Sequence, residues 1–139
     1  VALSAKDRAL VEAATETILR LYEPDRHHVA AALRTRGGRV FTAVHLDAYV
    51  GSCAVCAEAA ALASAASAGE RDLDTIAAVR WRGVGKPAVV SPCGRCRELL
   101  VDYGDPWVVH AGTSGAPVRT RASRLLPAPY RRREEPRPR

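Results

Sequence analysis

The 139 residues are 47% hydrophobic and 26% charged, with 10 Gly and 9 Pro, the balance of one ordinary globular domain rather than of a disordered or fibrous chain. No apolar run approaches the roughly 20 residues of a membrane-spanning helix, and residues 1–8 lack the basic start and apolar core of a signal peptide, so a cytoplasmic protein with no membrane partner is expected. The net charge of +6 is not a nucleic-acid footprint, because five Arg and two Glu in residues 131–139 supply +3 of it and the other basic residues form no stripe interleaved with aromatics.

That basic, Pro-broken tail is expected to be a solvated end after a single domain over residues 1–130. Ser4 followed by Asp7 has the spacing of a capping box, and Leu10, Ala14, Ile18 and Leu21 recur at helical intervals until Pro24. The pattern predicts an amphipathic helix over 5–22. Apolar segments 29–33 and 40–46, with Gly37-Gly38 between them, predict a β-hairpin. In its second segment Phe41, Ala43, His45 and Asp47 share one face.

Residues 55–68 are Ala-rich and close at Gly69, which predicts a helix packed tightly on several sides. A buried strand over 75–81, a loop around Gly83, Gly85 and Pro87, and a short strand over 88–90 follow. Pro92 starts a helix that ends near Tyr103 and Gly104, and 107–110 is another strand. Residues 111–116 read as a turn, and Leu125, Leu126, Pro127 and Tyr130 as a last apolar anchor. The order helix, hairpin, helix, strand, helix, strand suits a mixed sheet layered with helices.

Four cysteines fall as two pairs, Cys53/Cys56 and Cys93/Cys96, each with two residues between. Without a secretion signal such pairs point to metal or redox chemistry rather than to disulfides. Cys93 and Cys96, three apart at a helix start, share a face and can address one ion, while the positive helix end favours their thiolates. Cys56 offers a third thiolate, and a catalytic zinc site keeps its fourth position for water. Glu58, two residues beyond Cys56, is close enough to work on that water without binding the metal. The alternatives are a closed zinc site using all four cysteines, a redox pair, and, for Cys53 alone, a small buried residue. Neither Glu58 nor Pro92 has a role in a closed four-cysteine site.

Cys56-Ala57-Glu58 together with Ser91-Pro92-Cys93-Gly94-Arg95-Cys96-Arg97 has the signature of zinc deaminases. The chain resembles the cytidine deaminase family from about His27 to Tyr130, with blasticidin S deaminase-like features at the Leu125-Leu126-Pro127 ending. Weaker similarities lie at His27-His28-Val29-Ala30-Ala31-Ala32 and Gly38-Arg39-Val40-Phe41-Thr42. The resemblance implies a three-layer α/β/α fold with a mixed, mainly parallel five-stranded sheet, assembled as a homotetramer. It implies one Zn²⁺ per chain held by Cys56, Cys93 and Cys96, with Glu58 as proton carrier. It implies substrate contacts at His45 and Asp47, which stand where cytidine deaminases have a ribose-binding Asn and Glu, at His27 in place of a stacking aromatic, and at Phe41 and Ala57. Family members often carry an Arg after the Glu to offset thiolate charge; here that position is Ala59, so Arg95 or Arg97 is expected to substitute. A purely structural or rim role remains the alternative for His27, His28, His45 and Asp47, and a plain surface charge for each Arg. The segment Ala48-Tyr49-Val50-Gly51-Ser52 departs from the shorter, Gly-rich loop of blasticidin S deaminases. The expected function is hydrolytic, zinc-dependent deamination of a small substrate, cytidine, deoxycytidine or a related aminated heterocycle. The alternatives are a blasticidin S-type resistance deaminase and, from another class, a catalytically idle zinc-stabilised binding domain.

Overall fold

The computed structural model describes residues 1–131. The elements are α1 (Ala5–Leu21), β1 (Val29–Thr35), β2 (Val40–Val44), a 3₁₀ turn (Gly51–Cys53), α2 (Ala57–Ser67), β3 (Leu73–Arg80), β4 (Ala88–Val90), α3 (Gly94–Asp102), β5 (Trp107–Ala111), β6 (Pro117–Arg121) and a second 3₁₀ turn (Ala122–Leu125). The basic tail from residue 132 lies outside the described residues. No helix among the described residues is long and apolar enough to cross a membrane.

The capping box forms as the sequence predicts: Ser4 Oγ accepts from the Asp7 amide at 3.2 Å, and the Ser4 amide donates to Asp7 Oδ2 at 3.0 Å. Leu10, Ala14 and Ile18 then bury one face of α1, whereas Leu21 leaves that face and is exposed. The central strands are buried on both sides, so their sequences read as continuous apolar runs. Alternate residues divide the core. Ala30, Ala32, Ala77, Val79 and Val109 meet α1 on one face. Ala31, Leu33, Ile76, Ala78 and Val108 meet α2 and Leu100 of α3 on the other. The layering is α/β/α, as expected. Ala57, Ala61 and Ala65 let α2 lie close against β1 and β2, because a methyl group is all that separates its backbone from the sheet.

The sheet differs from expectation in strand number and sense. Among the described residues it has six strands, in the order β2-β1-β3-β5-β6 with β4 also pairing β3, and of these only β3 and β5 pair in parallel, through Thr75 opposite Trp107, Ile76 opposite Val108 and Ala77 opposite Val109. The other pairings are antiparallel. The reason lies in the connections. The crossover from β2 through α2 leaves β3 running the same way as β2, but the hairpin partner β1 lies between them. β6 is the strand that sequence periodicity missed. Its five residues, Pro-Val-Arg-Thr-Arg, open on a proline and carry a single large apolar side chain, so nothing but pairing with β5 marks them as a strand.

Both helix starts that carry cysteines are shorter than predicted. α2 begins at Ala57 with Cys56 as its N-cap, and α3 begins at Gly94 with Cys93 as its N-cap. β2 ends at Val44, and Leu46 continues only as an isolated antiparallel bridge to Val55.

Candidate metal centre

Cys56 and Cys93 cap two helices whose first turns face each other, and Cys96 lies in the first turn of α3. Single ligand atoms of Cys56, Cys93 and Cys96 all lie within 4.8 Å of one another, and the Cys56 and Cys93 sulfurs are 3.5 Å apart. Sulfurs bound about 2.3 Å from one tetrahedral zinc would stand about 3.8 Å apart, so the three side chains are already near the required spacing. Cys96 is buried, Cys56 half-buried and Cys93 exposed, which leaves one side of the group open.

The electrostatics also fit a cation. Burial would raise the Cys93 thiol, but the Cys96 and Arg95 amides at the start of α3 and the Cys56 and Cys96 thiols bring it below the ordinary value. Burial, the neighbouring thiols and the Glu58 carboxylate push Cys56 and Cys96 up. Cys56 and Cys96 resist ionisation beside the more acidic Cys93, so a divalent ion among the three sulfurs would favour the thiolate form of the set.

Glu58 sits in the first turn of α2 and is only 7% exposed. The Cys96 thiol faces its Oε2 at 3.8 Å. Burial holds the carboxyl above its ordinary value, with the Cys96 contact acting weakly in the other direction. Glu58 is thus beside the sulfur group and not part of it. Cys53 is exposed on the 3₁₀ turn and also stands outside the group, so the described residues form no four-cysteine site.

Arg95 and Arg97 reach carbonyls, not sulfurs. Arg95 Nη1 donates to the Ala54 carbonyl at 3.4 Å. Arg97 Nε donates to the Pro92 carbonyl and Nη1 to the Leu125 carbonyl, both at 2.9 Å. Cys56 and Cys93 themselves stand at the positive N-terminal ends of α2 and α3.

His45 and Asp47 come together just beyond β2, and with them His28. One ligand atom from each of these three lies within 4.8 Å of the others. The His28 and His45 rings pack edge-on with centroids 4.1 Å apart. His45 Nδ1 faces two backbone donors, the Val29 amide at 3.1 Å and the His28 amide at 3.2 Å. The Val29 carbonyl also lies 3.4 Å from Nδ1, and Nε2 is buried without a partner among the described residues. The two shorter contacts from amides favour Nδ1 as the acceptor, which places the proton on Nε2. Asp47 Oδ1 accepts from the Ala48 amide at 2.9 Å. His27 instead directs Nδ1 to the His45 carbonyl at 2.8 Å and holds the loop. Phe41 packs against the core beneath α2 with the Arg39 guanidinium 4.9 Å over its ring, and Ala57 is buried at the start of α2. The His27-His28 doublet is plain in the sequence. Both rings face His45 edge-on, His28 with centroids 4.1 Å apart and His27 at 6.4 Å, and His28 is the nearer with β1 registered on β2 as Ala30 opposite Val44.

A three-layer fold with three cysteines and a buried glutamate at two facing helix starts defines a class, the zinc-binding deaminases of cytosine nucleosides and nucleotides. Residues 4–111 match the cytidine and deoxycytidylate deaminase zinc-binding region, and the chain belongs to that family. A blasticidin-S deaminase from Bacillus cereus is 47% identical over 94% of this chain and 96% of its own length. A cytidine deaminase from Mycobacterium tuberculosis is 34% identical over 66% of each chain. Among solved structures, a cytidine deaminase from Burkholderia pseudomallei superposes with a TM-score of 0.74 at 32% identity, covering 92% of this chain and 100% of that one.

Proposed function

We propose that this chain is a zinc-dependent hydrolytic deaminase of cytidine, deoxycytidine or a closely related aminated heterocycle. The observation that carries the reading is the buried Glu58 carboxyl beside, and not within, the group formed by Cys56, Cys93 and Cys96. A Zn²⁺ ion held by those three sulfurs would lower the pKa of water towards 7 and so make a nucleophile available at neutral pH. The reaction takes up one water, breaks the exocyclic C–N bond, forms a carbonyl at that carbon and releases ammonia. Glu58 serves as the proton carrier. It takes one proton from the attacking water and passes it to the ring nitrogen beside the reacting carbon, then takes the second from the hydroxyl now on that carbon and gives it to the leaving amine as the carbonyl forms. Its burial suits the task, because raising the carboxyl above its ordinary value makes it a better proton acceptor than an exposed glutamate. His45 Nε2–H and the Asp47 carboxylate are assigned to the sugar, one donating to and one accepting from its hydroxyls.

The similarity to a blasticidin-S deaminase along nearly the whole chain favours a second reading, in which blasticidin S is the preferred substrate. Both readings treat residues 1–130 as one deaminase domain. They also take the protein as a cytoplasmic homo-oligomer, a tetramer by family resemblance. The fully exposed Tyr49, on the loop leading to the metal centre, is the observation that favours an oligomer.

Ammonia release from cytidine, deoxycytidine, cytosine and blasticidin S, measured for the wild type and Glu58→Gln, tests the proposal. Glu58→Gln should keep its fold and zinc and lose at least about 100-fold in turnover on every accepted substrate. Near-normal turnover in that variant would remove Glu58 from the reaction, and no turnover by the wild type on any of the four would favour an idle zinc-stabilised domain.

A further inference from the structure

Arg97 lies one residue past Cys96 and is the fourth residue after the Cys93 cap. Its backbone amide donates to the Cys93 carbonyl at 3.0 Å, as the first turn of α3 requires. Its side chain reaches back past the cap to the Pro92 carbonyl. That carbonyl precedes the helix and has no partner within it, and Pro92 is buried, so water does not readily replace the contact. One residue thus holds the two carbonyls on either side of Cys93. The peptide plane between Pro92 and Cys93 sets the direction in which the Cys93 side chain leaves the backbone, so turning that plane would swing the sulfur. In many helices an apolar pair at these same two positions, before the cap and at the fourth residue, fixes the entry angle of the chain. A guanidinium does it here.

The second arm of the fork grips the C-terminal segment. Arg97 Nη1 holds the Leu125 carbonyl, and Leu125 packs against the core beneath α2. The same segment has a separate anchor in Ser123, whose Oγ donates to Asp105 Oδ2 at 2.8 Å and whose amide donates to Asp105 Oδ1 at 2.6 Å. A lysine has a single cationic nitrogen on a flexible stem and lacks the planar fork that serves two carbonyls from separate nitrogens.

We infer that Arg97 is a positioning residue of the metal centre: it fixes the presentation of the Cys93 sulfur and couples it to the C-terminal segment through Leu125. The inference rests on the zinc deaminase reading above. It makes Arg97 a determinant of how tightly, and in what geometry, the three sulfurs hold the ion. A residue that only anchored the C-terminal segment would be interchangeable with Ser123 in this respect.

Zinc transfer from the full-length loaded protein to a chromogenic chelator, and the visible spectrum of the cobalt-substituted protein, test it. Arg97→Ala should release zinc at least about tenfold faster than the wild type, in line with the loss of other partners that support metal ligands, and should displace the cobalt band. Arg97→Lys, which can serve one carbonyl, should fall between, and Asp105→Gly, which removes both bonds to Ser123 at a φ of 53° that glycine accepts, should match the wild type in both readings. Should Arg97→Ala fail to fold, Arg97→Lys against Asp105→Gly makes the same comparison. Wild-type release and spectrum in the Arg97 variants, or equal acceleration by Asp105→Gly, would overturn the inference while leaving the deaminase reading intact. A wild type that takes up no zinc would overturn both.

Discussion

His45 shows how much one ring nitrogen decides. With Nδ1 accepting from the Val29 and His28 amides, the tautomer those contacts favour, the buried Nε2 donates. Burial first, and then the neighbouring His28, holds the imidazole below its ordinary value, so it is neutral at physiological pH. Asp47 supplies the complementary acceptor close by. A hydroxyl satisfies both, since it accepts from the ring and donates to the carboxylate. Asp47→Ala should therefore cost about 10- to 100-fold in kcat/KM with cytidine, the range for a hydrogen bond to a charged group, and much less with cytosine, which has no sugar. Comparing kcat/KM for the two substrates in both proteins checks this, and equal losses would show that Asp47 does not read the sugar. The cysteine spacing and Glu58 were legible at this scale, because the ligands sit within two short local motifs. The His45 tautomer was not, because its partners are amides 16 and 17 residues away.

At the scale of elements, the decisive feature is that α2 and α3 each begin on a cysteine, so two sets of unpaired amides point into one place. The predicted helices covered both segments but began too early, since Val55 and Pro92 are compatible with a helix start and only the backbone shows that the cysteines are caps. The connection from β3 to β4 is set by a different contact. The Tyr22 ring after α1 packs edge-on against Trp81 at 4.9 Å, and Trp81 Nε1 donates to the Gly85 carbonyl at 3.0 Å. Gly83 has a φ of 80°, and a Cβ there would lie 2.9 Å from the Tyr22 ring. Gly85 also has a positive φ, 74°, but nothing stands within 4 Å of its would-be Cβ. Gly83→Ala should destabilise by about 2 kcal/mol or more, from backbone strain and displacement of Tyr22 together. Gly85→Ala should cost only the strain, about 1 kcal/mol. Urea denaturation of the two variants separates the contributions, and equal losses would show that the Tyr22 contact contributes nothing.

Across the whole molecule, a buried ionic network ties α1 to the sheet on the face away from the metal centre. Asp7, inaccessible to solvent, meets Arg34 of β1 at 3.1 Å and Arg119 of β6 at 3.4 Å. Arg34 also reaches Asp74 of β3 at 2.6 Å, and the Arg119 guanidinium lies 4.4 Å over the Trp107 ring. Burial acts to raise the Asp7 carboxyl, but the Ser4 amide and hydroxyl, Arg34 and Arg119 together hold it below its ordinary value of 3.8. The unfolded chain therefore takes up the proton first. The contribution of Asp7 is fully present above about pH 4 and is lost as pH falls through the lower folded value. Asp7→Asn should cost about 3 kcal/mol at pH 7, the lower end for removing one partner of a buried pair. The gap between variant and wild type should narrow on acidification below about pH 4, as followed by denaturation at a series of pH values. A gap that stays constant down to pH 2 would mean that Asp7 contributes nothing through its charge.

Residue order alone was enough for the helices, the hairpin, a mixed sheet layered with helices, and the three cysteines with Glu58, because each rests on local periodicity, capping or spacing within a few residues; the three-layer arrangement came from family resemblance. Tertiary structure alone decided the strand β6, the single parallel pair, the meeting of His28 with His45 and Asp47, and the carbonyls that Arg97 holds. Those features depend on pairing partners far apart in the chain. β1 separates β2 from β3 because hairpin closure places it there, and Arg97 meets Leu125 because packing of the second 3₁₀ turn on the core brings that carbonyl within reach. Residue type and local spacing carry no information about such long-range register, which is set only when the two faces of the sheet are buried together.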